Sequence, residues 1–325
     1  MGFQEQVVFM EGFGGYPMGH LIKLMIRVVV LLWVFGLCLS PAAWAETLGD
    51  APDKLAIQKG VAAFEQADYP QAIDAFSLAV EANPASAVAY SNRCLAYLQL
   101  DQPTHAIADC TQGLRINPEI TESYLNRGLA YYRLGQYADA IADYQQLINH
   151  HPDDHRAYYN LGLAQSALGN HTAALEIYSI ALHHTAPSNV AAGAEIYNDR
   201  GVSYLYLERY KAALADFSQA LDLGDGVRSY FNRACCYHHL KEYLLAIQDL
   251  SRVLSVTPDD ARSYLVRGLV HQQLGARVDA IADWQDAAYY FQTHHELKAY
   301  QATLDLIEIF QEDFQDSPNR MTLAI

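Results

Sequence analysis

Basic residues are scarce in this chain. Its 325 residues hold 21 lysines and arginines against 37 aspartates and glutamates, a net charge of −16. So acidic a surface repels phosphate backbones and anionic bilayers, which argues against nucleic acid as a partner and against direct adsorption to a membrane. Charged residues make up only 18% and apolar ones 51%, so the chain is no solvated acidic tail and has material for a sizeable core. The short signatures of chemistry are missing too: there is no glycine-rich phosphate loop, no G-x-S-x-G and no H-E-x-x-H. Many of the histidines stand in adjacent pairs, His150-His151, His183-His184, His238-His239 and His294-His295. Neighbours on a helix do not converge on one metal, and the spacing lacks a zinc signature. Composition and motifs therefore predict neither an enzyme nor a metal or cofactor protein.

Nor is there a run fit to cross a membrane. The apolar stretch Val28–Leu39 is about 12 residues, short of the roughly 20 that a spanning helix needs. Lys23 and Arg27 precede it, Ser40 and Pro41 break it, and Ala43-Trp44-Ala45 offers a small-x-small cleavage pattern. Residues 1–45 read as a secretory signal cut before Glu46, with Met18 as the better start, because Glu5 and Glu11 without a base are odd at the head of a signal. The destination is a periplasm or a thylakoid lumen. The alternative is an uncleaved segment that anchors the chain in a membrane. Cys38 follows Leu37, which disfavours a lipid-attachment site.

What the chain has in plenty is tyrosine, 23 residues, and the reason is an internal repeat of 34 residues that starts at Asp53. Seven repeats follow, at 53–86, 87–120, 121–154, 155–188, 194–226, 227–260 and 261–292. The twentieth position is alanine in all of them: Ala72, Ala106, Ala140, Ala174, Ala213, Ala246 and Ala280. The eighth is small: Gly60, Cys94, Gly128, Gly162, Gly201, Ala234 and Gly268. Small residues at both places let two antiparallel helices approach closely. Larger residues at the fourth and twenty-fourth positions, from Tyr90 and Tyr124 to Tyr178 and Trp284, fill the space left over, so the tyrosines are packing residues with a polar tip. Pro84, Pro118, Pro152 and Pro258 end second helices. After the repeats, Leu297, Tyr300, Leu304, Ile307 and Phe310 share one helical face, which predicts a capping helix over 293–310 and loose ends at 46–52 and 311–325.

Charge follows the same register. Arg93, Arg127, Arg200, Arg233 and Arg267 take the seventh position, and Asp109, Asp143, Asp216, Asp249 and Asp283 the twenty-third. The two repeats without the arginine, at Lys59 and Leu161, also lack the aspartate. A turn near the fifteenth position brings the two places together, which predicts an Arg–Asp pair in each of five repeats; a charged ligand site is the alternative.

Within one repeat Tyr124, Gly128, Tyr131, Ala140, Tyr144 and Pro152 follow W-x2-L-G-x2-Y…A-x3-F…P. The chain thus resembles the tetratricopeptide repeat family over about 53–292, and its Y-x-N-R-G run at Tyr124–Gly128 resembles bacterial and cyanobacterial members. That resemblance implies an all-α, right-handed α-solenoid of seven helix–turn–helix repeats, with a concave groove lined by first helices that binds other proteins. It implies a partner-binding floor at Ile57, Leu95, Leu125, Leu129, Tyr159, Leu163 and Phe231. Asn92, Asn126, Asn160 and Asn232 at the sixth position are placed to bond an extended peptide, or else to serve helix packing. Arg156, Arg228 and Arg262 at the second position are placed to receive an acidic group. Some members clamp acidic chaperone tails with Lys at the fifth position and Asn at the ninth; no repeat here has either, so that function is not expected.

Cys94 and Cys110 fall at the eighth and twenty-fourth positions of one repeat, on facing helices. In an oxidising compartment they can bond if their Cα atoms stand roughly 4.4–6.8 Å apart; otherwise they are two small buried hydrophobes. Taken together, the sequence predicts an exported interaction scaffold or assembly factor that binds a peptide or helix of a partner protein and meets a membrane only through that partner or an uncleaved signal. A carrier of a small ligand or lipid in the same groove is the alternative.

Overall fold

The computed structural model describes residues 52–224 and 226–321, with side chains described as far as Glu312. The expected export segment, residues 1–45, and most of the linker after it lie outside the described residues.

Among the described residues the chain is all-α, 15 helices packed pairwise in consecutive helix–turn–helix repeats. The first helices of the repeats are α1 Pro52–Glu65, α3 Ala87–Gln99, α5 Thr121–Arg133, α7 His155–Ala167, α9 Val190–Tyr206, α11 Val227–His239 and α13 Ala261–Gln273. Their antiparallel partners are α2 Tyr69–Ala82, α4 Pro103–Ile116, α6 Tyr137–His150, α8 His171–His184, α10 Tyr210–Asp222, α12 Tyr243–Val256 and α14 Arg277–Thr293. The last helix, α15, runs Leu297–Met321 and packs on α14. It carries on past residue 310, where the sequence pattern ends the cap. No glycine or proline interrupts the chain there before Pro318, so nothing in the local chemistry stops the helix.

Each hairpin turns on a residue with positive φ at the fifteenth position. Gly135, Gly169 and Gly275 adopt it without a steric cost, whereas Ala67, Asp101, Glu208 and Lys241 hold φ of 56 to 61°. Side-chain caps start several helices: Asp68 accepts from Gln71 N, Ser86 from Ala89 N, and Asn189 from Ala192 N. Asn189 thereby begins the lengthened α9, where the sequence carries extra residues between repeats.

The helices form two compact units, one ending at Ala130 and the other starting at Tyr131, so the boundary falls inside α5. In both units the seam between paired helices follows the small-and-large register. The twentieth-position alanines are fully buried. A methyl group on Gly60 would lie 2.4 Å from Phe76, and one on Gly162 would lie 2.6 Å from Tyr178. The second repeat solves the same contact covalently: Cys94 and Cys110 form a disulfide with Cα atoms 5.5 Å apart.

Charge ties the helices across that seam. Arg93, Arg200, Arg233 and Arg267 each hold both oxygens of Asp109, Asp216, Asp249 and Asp283, with Nε–Oδ2 distances of 2.6 to 2.9 Å. The residues of the fifth expected pair, Arg127 and Asp143, belong to different units. The same guanidinium groups reach the preceding repeat. Arg93 donates to Ser77, Arg200 to Ser179, Arg233 to Ser218, Arg267 to Ser251, and Arg127 to Thr111. Each also lies over the tyrosine three residues earlier, as Arg200 does at 5.4 Å from the Tyr197 ring.

Candidate functional site

First helices of successive repeats touch one another: α1 meets α3 in the first unit, and α7 meets α9, α9 meets α11 and α11 meets α13 in the second. Their side chains make a first-helix face in each unit. Apolar residues at the fifth and ninth positions lie here because they sit at the edge of the core, packed against it on one side and half-exposed on the other. In the first unit these are Ile57, Leu95, Leu125 and Leu129, and in the second Tyr159, Leu163, Val202, Phe231, Leu265 and Leu269. The sequence-derived floor is therefore a partly solvated apolar surface in both units.

Several of the polar residues assigned to this face are engaged within the chain. Asn160 donates to the Arg156 carbonyl at 2.8 Å, and Asn232 donates to Asn198 Oδ1 at 3.2 Å. Asn126 is buried and Asn92 half-buried. Of the two roles open to these amides, Asn160 and Asn232 take the packing role. The arginines are committed as well. Arg156 grips Asp154, the cap of its own helix, at 2.6 Å. Arg228 stands 3.4 Å from Asp199, and Arg262 stands 3.6 Å from Glu296. A ligand carboxylate at any of these arginines would compete with an acid the chain already supplies.

A network that the sequence reading overlooked links three first helices of the second unit. Asp199, on α9, accepts a 2.7 Å hydrogen bond from Tyr159 of α7 and pairs with Arg228 of α11. Its neighbour Asn198 donates to Asp199 and accepts from Ser229 and Asn232. In the first unit the equivalent tie is smaller, a 2.9 Å bond from Ser123 to Ser91. Burial, followed by the Asp199 charge, pushes the Tyr132 phenol up to about 12 and the Tyr159 and Tyr178 phenols well above their ordinary value. All three stay neutral and can act as hydrogen-bond donors. The signal for Asp199 was present in the sequence as the break in the run of sixth-position asparagines.

Several histidines are stacked on tyrosines. His171 lies 4.4 Å from the Tyr206 ring and His239 4.4 Å from the Tyr210 ring, at 5° and 8° between planes. Both contacts join the seventeenth position of one repeat to the thirteenth of the next. Among the described residues no three His, Cys, Asp or Glu side chains come together as metal ligands, and no helix is long and apolar enough to cross a membrane. Cys235 and Cys236 are free, and burial pushes the Cys235 thiol up to about 12.

Comparison with known proteins points the same way as the geometry. A family model described as tetratricopeptide repeat matches residues 57–119, 125–190 and 198–254, more than half of the chain. Human serine/threonine-protein phosphatase 5 is 40% identical over 53 residues. That match spans 16% of this chain and only 11% of the phosphatase, and it covers the repeat part alone. A tetratricopeptide repeat protein from Parabacteroides merdae superposes with a TM-score of 0.60 at 18% identity, over 78% of this chain and 99% of that one. The APC/C hetero-tetramer Cut9–Hcn1 superposes with a TM-score of 0.57 at 18% identity, over 73% of this chain and 48% of that one. At such identities the structures share the fold alone.

Proposed function

The chain belongs to the tetratricopeptide repeat family, and on that basis we propose that it is an exported scaffold that holds a segment of a partner protein against its first-helix face. Repeats of this family mediate protein–protein interactions, and one fold relative is itself a multi-protein assembly, Cut9–Hcn1. The observation that carries the reading is the recurrence of partly buried apolar residues on successive first helices, such as Leu163, Val202, Phe231 and Leu265. A face that is apolar, repeated and edged with polar groups suits an extended or helical peptide.

Export is supported by the basic-then-apolar segment Lys23–Leu39 with its Ala43-Trp44-Ala45 cleavage pattern. It is also supported by the Cys94–Cys110 bond, since disulfides persist in oxidising compartments. Fractionation tests the export, which recovery in the cytoplasmic fraction alone would sink; mass measurement tests the cleavage, with a chain that begins at Glu46 expected and an intact N-terminus favouring an uncleaved anchor. Co-purification from the extracytoplasmic fraction with wild-type chain and with a Leu163→Glu, Phe231→Glu variant tests the scaffold. A specific protein retained by the first and lost from the second is the expected outcome. Equal recovery by both would remove the first-helix face from the account, and a co-eluting lipid or small molecule in place of a protein would favour a carrier.

A further inference from the structure

The sixth repeat departs from its fellows on the side turned away from the first-helix face. Positions four, seven and eleven of a first helix lie about half a turn round from positions five and nine. On α11 they are Tyr230, Arg233 and Tyr237, and with α12 they enclose a cleft of about 520 Å³. That volume falls within the roughly 300–1,000 Å³ of small-ligand sites. The Arg233–Asp249 pair forms the floor, and Arg233 lies over the Tyr230 and Tyr237 rings at 5.6 and 5.7 Å. Leu245, Gln248 and Arg252 of α12 make the opposite wall.

The other repeats with the Arg–Asp register do not supply that wall. At the twenty-second position they have Ala108, Ala142, Ala215 and Ala282, where this one has Gln248. At the twenty-sixth they have Gln112, Gln146, Gln219 and Asp286, where this one has Arg252. Neither replacement serves the fold. Among the described residues the Arg252 guanidinium meets no acid, and the Gln248 amide and the Tyr230 and Tyr237 hydroxyls make no hydrogen bond.

Charge decides what the cleft can take. Asp249 is 7% exposed and gives an oxygen to each of two Arg233 nitrogens, so it has little to offer a cation. That pair cancels, and so does the pair at the rim, where Arg267 donates to Ser251 while Asp283 holds it. Asp286 acts on this second pair from beyond it. Among the described residues that line the cleft, Arg252 alone is left uncompensated. A planar guanidinium takes a carboxylate through two parallel hydrogen bonds, and the amide and the phenols add neutral donors. Leu245, 42% exposed, and the tyrosine ring edges suit an apolar or aromatic body. One cation matches one negative charge; a phosphate dianion would bring a second without a partner.

We propose that this cleft binds a small monocarboxylate with an aromatic or apolar body, its carboxylate held by Arg252 and Gln248 and its body by Leu245, Tyr230 and Tyr237. The site lies on the opposite side of the hairpin from the first-helix face and stands whether or not that face holds a partner.

The test uses the full chain and three probes of similar shape: phenylacetate, phenylacetamide and phenethylammonium. Titrations followed by saturation-transfer NMR should show phenylacetate binding about tenfold more tightly than phenylacetamide, with phenethylammonium weakest. Arg252→Gln, which installs the residue found at three other twenty-sixth positions, should remove that preference while circular dichroism is unchanged. Arg115→Gln, which removes the same charge from the exposed surface of α4, should leave it intact. Leu245→Glu should weaken phenylacetate more than phenylacetamide. Equal affinity for the acid and the amide, or phenylacetate binding that survives Arg252→Gln, overturns the inference. Equal losses in Arg252→Gln and Arg115→Gln overturn it too, since overall charge alone would then govern binding. No binding of any probe at millimolar concentration overturns it as well.

Discussion

Arg233 and Asp249 face each other across the seam of one hairpin, joined by parallel hydrogen bonds of 2.7 Å from Nε and 2.9 Å from Nη2. The aspartate side chain is 7% exposed and the arginine 21%. Such a pair adds little net stability but is costly to halve, about 3–5 kcal/mol, because the remaining charge stays buried. Asp249→Ala should therefore lower the melting temperature well below that of the double variant Arg233→Met, Asp249→Leu. Equal losses, read in denaturant titrations, would deny the pair this role.

The eighth and twenty-fourth positions act as one unit of volume. Alanine at Gly201 would place its methyl 2.7 Å from Phe217 Cε1. Helix propensity favours the alanine by about 0.8–1.0 kcal/mol, but overpacking costs roughly 1–3 kcal/mol, so the single variant should lose stability. Adding Phe217→Leu should restore most of it, since Ala234 and Leu250 already fill this place with both side chains fully buried. A Gly201→Ala protein that melts at or above the wild-type temperature would contradict the close approach.

The Cys94–Cys110 bond closes a loop with a sequence separation of 16. A loop of that size is stabilised by about 3 kcal/mol relative to the reduced chain. Dithiothreitol should lower the unfolding midpoint of the wild type and leave that of Cys94→Ala, Cys110→Ala unchanged. Mass mapping without reductant that finds both thiols free would remove the bond and one support for export.

Acidification should destabilise the fold through its histidines. Burial holds His155, His171, His238 and His239 below their ordinary 6.5, against which Asp154 acts at His155 and Glu208 at His239. A group whose folded pKa is depressed is protonated first in the unfolded chain. Its stabilisation is therefore complete above the unfolded value and is lost as pH falls through the folded one. Stability should decline as pH falls below about 7.5, and less steeply in the variant His171→Phe, His239→Phe, which keeps the stacks on Tyr206 and Tyr210. An identical slope in that variant would place the titration elsewhere.

Much of this fold can be read from spacing alone, because each repeat reuses the same contacts. Ala213 and Gly201 are small for a reason that recurs at every hairpin, and the Arg–Asp register follows from two columns that come and go together. Two features escaped the sequence reading for physical reasons. Ser77, Ser179, Ser218 and Ser251 tie one repeat to the next through the arginines, but a serine on a helix surface gives no sign of its partner until the neighbouring helix is placed. Glu208 and Lys241 sit with positive φ where glycine is favoured, because packing of the hairpin overrides local preference. The site was only half legible. The apolar floor comes from the family resemblance; the sequence places Arg156 and Arg228 outward and leaves Asn160 and Asn232 open to either role, and all four make bonds within the chain. Asp199 matters because it breaks the pattern, and a search for the pattern passes over it.

Photocrosslinking from single positions tests the central claim most directly. A photoreactive residue at Leu163 or Phe231, partly exposed on first helices, should join the partner in the native cell, and the same residue at Leu244, 74% exposed on a second helix, should not. Crosslinks that form equally from Leu244, or from none of the three, would contradict a scaffold that works through its first-helix face.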